Sequence, residues 1–242
     1  MAGQTATLQK RKAIFSFLTP SQCSRVSYSV QKSRLTRTLL NHECFQEGQV
    51  FGTMEKGVMY PIIHRKEIQP SYNSQPIKLL DPSTLGDDYI LKQGCYTEER
   101  HLQLDIQQPK DDSTSYHPCF ILVGFRSLDD TFSEVLEDSW KDWTGARMIY
   151  MNLADDFGLS SITFYRRNVP RDIELFMYIL VAECHRVTSH NKIAILDFVH
   201  RFRVERMFGF VSLYKQEIQL TTSALINSIM SDVEETNRQL DI

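Results

Sequence analysis

The sequence predicts an α+β domain that is mostly antiparallel sheet, with a central helix over about 131–144 and a C-terminal helix over about 222–238. Three observations lead there. Alternating or short apolar runs recur between residues 102 and 220. Helical spacing is confined to two windows. The 242 residues are 42% hydrophobic with 14 Phe and 10 Tyr, enough to bury a core and too aromatic for a disordered chain.

Each element has its own warrant. Residues 1–45 read as a basic, largely flexible arm in which Ala13-Ile14-Phe15-Ser16-Phe17-Leu18 is the strongly apolar patch, suited to a membrane interface or to docking on the body. Over 46–100 the closely spaced Gly48, Gly52, Gly57, Pro61, Pro70, Pro76, Pro82 and Gly86 leave room only for short strands, and 69–76 is polar and bracketed by prolines. The core domain is placed at 101–242. Strict alternation makes 102–107 a half-buried strand, and 119–125, apolar on both faces, an interior one. Asp130 or Thr131 caps the central helix, Phe132, Val135, Leu136, Trp140 and Trp143 follow its spacing, and Thr144-Gly145 ends it. Strands follow at 147–153 and 161–166, joined by a hairpin-type turn at Asp155-Asp156-Phe157-Gly158. The apolar run 173–184 has no period and is assigned to strand. In 200–206, Phe202 and Val204 alternate with charge, as on a strand with one wet face. More strand follows at 207–214 and 217–220, and Thr221 or Thr222 caps a last helix through Leu225, Ile229 and Val233. No internal repeat is visible.

The net charge of −3 hides a division. Lys10, Arg11, Lys12, Arg25, Lys32, Arg34 and Arg37 precede the first acidic residue, Glu43, so the first 42 residues carry +7 and the remaining 200 carry 20 basic and 30 acidic side chains. A cationic arm on an acidic body is expected to grip a polyanion, lipid or nucleic acid, with salt sensitivity. Arg, Ser and Thr without acidic residues also fit a mitochondrial presequence, whose removal would take about 35 residues. A second basic group, Arg166, Arg167, Arg201, Arg203 and Arg206, interleaves with Phe164, Tyr165, Phe198, Phe202 and Phe208, as in a nucleic-acid-binding surface. Five cysteines, Cys23, Cys44, Cys95, Cys119 and Cys184, without Cys-x-x-Cys point to a reducing compartment and to core packing.

Signs of catalysis are sparse. The phosphate loop Gly-x-x-x-x-Gly-Lys, the dinucleotide motif Gly-x-Gly-x-x-Gly and the hydrolase elbow Gly-x-Ser-x-Gly are all missing. His117 with Cys119 is interrupted by Pro118, and neither it nor Cys184-His185 has a second pair to complete a zinc site. Cys184 with His200 as nucleophile and base has no spacing to support it, and Asp129-Asp130 and Asp155-Asp156-Phe157-Gly158 are better explained as turns. The expectation is a non-enzyme without metal or cofactor.

One family resemblance is carried by Phe120-Ile121-Leu122-Val123-Gly124-Phe125-Arg126-Ser127, then Thr131-Phe132-Ser133-Glu134-Val135 and a helix closing at Trp140, and by Phe210-Val211-Ser212-Leu213-Tyr214-Lys215-Gln216-Glu217-Ile218-Gln219-Leu220. In order and rough spacing these resemble rhabdovirus matrix proteins of the vesicular stomatitis type over about residues 118–220. The resemblance implies a structural protein of virion assembly, peripheral at the membrane in the virion and host cytoplasm. Its partners would be anionic phospholipid, viral ribonucleoprotein and further copies of itself. No Pro-Pro-x-Tyr or Pro-Thr-Ala-Pro budding motif accompanies it.

Overall fold

The computed structural model describes residues 10–21, 48–68, 77, 79–87, 89–105, 117–126, 134–169, 174–206 and 209–219. Eight antiparallel strands dominate: β1 Lys12–Pro20, β2 Gln49–Thr53, β3 Ile62–Ile68, β4 Tyr89–Gln103, β5 His117–Phe125, β6 Leu159–Val169, β7 Tyr178–Val187 and β8 Phe210–Gln219. Their order around the sheet is β1-β3-β2-β8-β5-β7-β6-β4, and pairing of β4 with β1 closes it into a barrel. Among the described residues the helices are short, α1 Glu134–Asp138, α2 Trp140–Trp143 and α3 Ala146–Asn152, except for α4 Lys192–Arg206.

The strand order contains a repeat that the residues do not display. Strands β1 to β4 lie side by side as β4-β1-β3-β2, and strands β5 to β8 as β8-β5-β7-β6. Each is the order of a β-α-β-β-α-β unit, and in the second unit α1–α3 and α4 occupy the two helical connections. The units meet at two seams, β2 against β8 and β4 against β6. A half-turn about the barrel axis exchanges them.

Alternation along the strands separates two cores. Phe15 and Phe17 of β1, Phe51 of β2, Ile63 of β3, Tyr96 of β4, Phe120 and Leu122 of β5, Tyr165 of β6 and Ile179 and Val181 of β7 fill the lumen. On the outer face of the second unit, Cys119, Ile121, Val123 and Phe125 of β5 and Ile162 and Phe164 of β6 pack under Trp140, Ile149, Ile195, Val199 and Phe202 from the helices. Gly145, between α2 and α3, has φ +84°, and a Cβ there would stand 2.5 Å from the Phe202 ring, so this turn and α4 approach closely only because that side chain is missing.

The α+β expectation with a central helix is therefore corrected to a closed antiparallel barrel. Residues 131–144 do not hold one helix: Ser139 breaks the described part into α1 and α2. The strand expected at 147–153 is α3, and the wet-faced strand expected at 200–206 is the end of α4, where Phe202 packs on the sheet and Val204 is exposed. Alternation over seven residues fits both periods when only one apolar residue is anchored. Asp155–Phe157 is a 3-10 turn leading from α3 into β6, and not a hairpin. The apolar patch of the N-terminal arm is β1, paired on both edges with Phe15 and Phe17 turned into the lumen. The C-terminal helix lies outside the described residues.

Candidate functional site

The two ends of the barrel differ in chemistry. At one, the loops before β3 and β7 fold inward and plug the lumen with Tyr60 and Phe176, whose rings stand edge to face at 5.6 Å and both contact Phe17 and Phe210. The plug is fastened reciprocally. Tyr96 of β4 donates to the carbonyl of Phe176 (2.7 Å), and Tyr214 of β8 donates to the carbonyl of Tyr60 (2.6 Å), so each unit's fourth strand holds the other unit's loop. Arg167 adds a bond to the Leu175 carbonyl at 2.7 Å.

The opposite end is polar. Arg65 on β3, its side chain 11% exposed, donates from Nη1 to Glu183 Oε1 on β7 and from Nη2 to Gln49 Oε1 on β2, both at 2.8 Å, with the Phe51 and Phe120 rings against its guanidinium at 5.7 and 5.8 Å. Its Nε–H is buried without an acceptor. Burial pulls the guanidinium pKa down, but Tyr165, Glu183 and Glu67 outweigh it and keep Arg65 firmly charged. Tyr165 on β6 has its ring 5.2 Å from Phe15, and no described residue bonds its hydroxyl. Burial raises the phenol pKa, Arg65 opposes, and Glu98, Glu183 and Glu67 reinforce it, so Tyr165 stays protonated as a donor. Along the same wall Thr163 Oγ1 lies 2.9 Å from His101 Nδ1, whose Nε2 is 3.1 Å from Gln103 Oε1.

This end therefore gathers a fixed cation with one idle N–H, an idle phenolic O–H and a partly exposed carboxylate within one lumen. Three carboxylates and one guanidinium dominate its charge, which disfavours a substrate that arrives as an anion and suits a neutral one that becomes negative during reaction. Two surface clefts, of about 470 and about 460 Å³, lie outside the lumen, the larger between Asp105, Tyr150, Asp155 and Arg186 and the other between Thr53, Glu55 and Lys56.

The basic residues singled out from sequence are dispersed. Lys10 pairs with the buried Glu99, Arg11 is exposed with its carbonyl bonded to the Glu98 N–H, and Lys12 opens β1. Arg25, Lys32, Arg34 and Arg37 lie outside the described residues. Arg166 pairs with Glu99 and Glu137, Arg203 with Glu55, and Arg201 with Asp197, while Arg206 donates to the Asp142 carbonyl. The described residues of the second group have different partners, and nothing here supports the nucleic-acid reading. Removal of roughly 35 residues as a presequence would take with it β1, the strand that closes the barrel. Cys184 is buried beneath the helices while His200 sits on the exposed side of α4, so they form no catalytic pair. Arg65 and Glu183 went unnoticed in sequence, and Tyr165 stood out only as one of the aromatics beside the second basic group. Arg65 and Glu183 each lie two positions from an apolar lumen residue, Ile63 and Val181, and share its face, but a lone charge beyond an apolar run reads in sequence as the run's polar boundary until the barrel closes around it.

A family model described as a domain of unknown function (DUF7153) matches residues 45–216. No curated protein matches the chain. Among solved structures, an anthrone oxidase-like protein is similar at 10% identity and TM-score 0.48, covering 86% of this chain and 92% of that one. A mutant chlorite dismutase from Candidatus Nitrospira defluvii in complex with cyanide is similar at 8% identity and TM-score 0.42, covering 87% and 92%. No matrix protein is among these likenesses, and the stretches that suggested one are β5, the short helices and β8 of the barrel. The expectations of a non-enzymatic structural role and of virion assembly fall with that resemblance.

Proposed function

Since the chain belongs to the family of the domain of unknown function DUF7153, whose model spans Arg65, Tyr165 and Glu183, we propose that it is an enzyme that removes a proton from a neutral, flat carbonyl compound at the polar end of the barrel. The observation that carries this reading is the buried Arg65 Nε–H, which has no acceptor, in one lumen with a carboxylate and with the Tyr165 hydroxyl, to which no described residue is bonded. Buried polar groups are normally paired, and donors left idle beside one another are suited to an oxygen that gains charge only during reaction. The Glu183 carboxylate takes a proton from the carbon next to the carbonyl, the C–H electron pair moves into the new C=C bond, and the resulting enolate oxygen accepts from Arg65 and Tyr165. Phe51 and Phe120, whose rings lie against the Arg65 guanidinium at that end, favour an aryl substrate.

Hydrogen–deuterium exchange of the α-protons of acetophenone and 1-tetralone, followed by NMR, tests the reading. The wild-type chain is expected to accelerate exchange, Glu183→Gln to remove the acceleration, and Tyr165→Phe to lower it by about 100-fold, the effect of losing one oxyanion donor. Equal rates in the three proteins, or no acceleration by the wild type, would overturn it.

A further inference from the structure

On the outer face of the sheet, away from the lumen, two cysteines face one another and a methionine sulfur reaches one of them. Cys119 of β5 and Cys184 of β7 are directly opposite one another in the antiparallel ladder, which sets their Cβ atoms about 4.5–5.5 Å apart on one face. Both belong to the core beneath the helices and are 1% and 0% exposed. Met54, held at the end of β2 by its N–H to the Leu213 carbonyl (2.9 Å), reaches across β8 and places Sδ 3.8 Å from Cys119 Sγ. Met54 is only partly buried, so the group has a way in.

We propose that Met54, Cys119 and Cys184 form a binding site for a single cuprous ion, distinct from the lumen site. Metal–sulfur bonds of about 2.3 Å in a trigonal plane put the sulfurs about 4 Å apart, close to the 3.8 Å between Met54 Sδ and Cys119 Sγ. Two thiolates and a thioether are soft donors that select Cu(I). Among the described residues no three of His, Cys, Asp and Glu gather to hold a harder ion. The site binds metal by exchanging thiol protons for it. Copper stays in the +1 state throughout, and the two protons released from Cys119 and Cys184 go to solvent.

The full chain carrying Cys23→Ser and Cys44→Ser, reduced and kept without oxygen, is titrated with Cu(I) against bicinchoninate. One copper per chain, a thiolate-to-copper band in the near ultraviolet and release of two protons are expected. Cys184→Ala is expected to abolish this binding and Met54→Leu to weaken it at least tenfold, with each fold checked by circular dichroism. Should Cys184→Ala fail to fold, the partly exposed Met54→Leu decides alone. Failure of the background chain to compete with bicinchoninate overturns the proposal, as does full affinity in Met54→Leu. Isolation of a Cys119–Cys184 disulfide after oxidised glutathione, with no copper binding on re-reduction, would overturn it in favour of a thiol switch.

Discussion

The two β-α-β-β-α-β units share a strand order and differ in what they place at equivalent points. In the first unit Phe15 of β1 is paired with Arg65 of β3, and in the second Phe120 of β5 is paired with Glu183 of β7. Equivalent strands thus present a cation and an anion, and the two meet across the lumen at 2.8 Å. At the plugged end the units agree instead: Tyr96 and Tyr214 do the same job on Phe176 and Tyr60. The contrast teaches that the architecture is kept where the repeat is kept, and that chemistry arises where the repeat has been broken.

Breaking the plug is expected to have the largest effect. Phe176→Ala and Tyr60→Ala each empty space lined by aromatic rings, at about 3–5 kcal/mol by denaturant unfolding. Gly124→Ala, whose Cβ would stand 2.6 Å from the Phe176 ring, is expected to cost about 1–3 kcal/mol through overpacking. Next comes a charge exchange. Arg65→Glu or Glu183→Arg alone sets like charges together in a mostly buried place and is expected to cost about 2–4 kcal/mol, while the double exchange returns to within about 1 kcal/mol of wild type. A double variant no better than the worse single one would show that the two positions are not interchangeable.

Tyr96→Phe and Tyr214→Phe each strip a buried carbonyl of its donor and are expected to cost about 1–2 kcal/mol apiece, equal within about 0.5 kcal/mol. Unequal losses would mean that the reciprocal fastening is unbalanced. Alkali sharpens the picture further. Burial raises the Cys95 and Cys119 thiols to about 11 from an ordinary 9.0, and raises the Tyr96 phenol above its ordinary 10.0. Unfolded thiols therefore ionise from about pH 9 and unfolded phenols from about pH 10 while the native groups stay protonated, so stability falls as pH rises through that range. Urea midpoints at about pH 8 and about pH 10.5 measure it, and Tyr96→Phe is expected to lessen the fall. The smallest effect belongs to Tyr165→Phe, expected to change stability by less than about 0.5 kcal/mol because no described residue bonds its hydroxyl.

How much of this could be read in the residues varies by element. The run at 119–125 announces β5 because it is apolar on both faces, and both faces are indeed covered, by the lumen on one side and helices on the other. The alternation at 102–107 catches only the end of β4, whose bulk at 89–101 is polar and Gly-interrupted on the page and is buried only after it closes against β1 and β6. The short helices are invisible for a different reason. Arg147 to Leu153 supplies too few turns for its period to show, and its place is dictated by Ala146 and Ile149 packing under the sheet. The candidate site was the least legible part, since Arg65, Tyr165 and Glu183 are spread over 118 residues and are brought together only by the half-turn relating the units. Of the charge that was legible, the second basic group is held in separate local pairings.

One consequence concerns how such a chain is made. Thr53 of β2 finds its partner Tyr214 on β8, 161 positions later. At a synthesis rate of about 5–20 residues per second, β2 waits roughly ten to thirty seconds on the ribosome for that neighbour. Throughout that interval its edge is a template for any passing strand. The nascent first unit therefore needs shelter until the last strand emerges, and a truncated product lacking β8 is expected to accumulate as insoluble material.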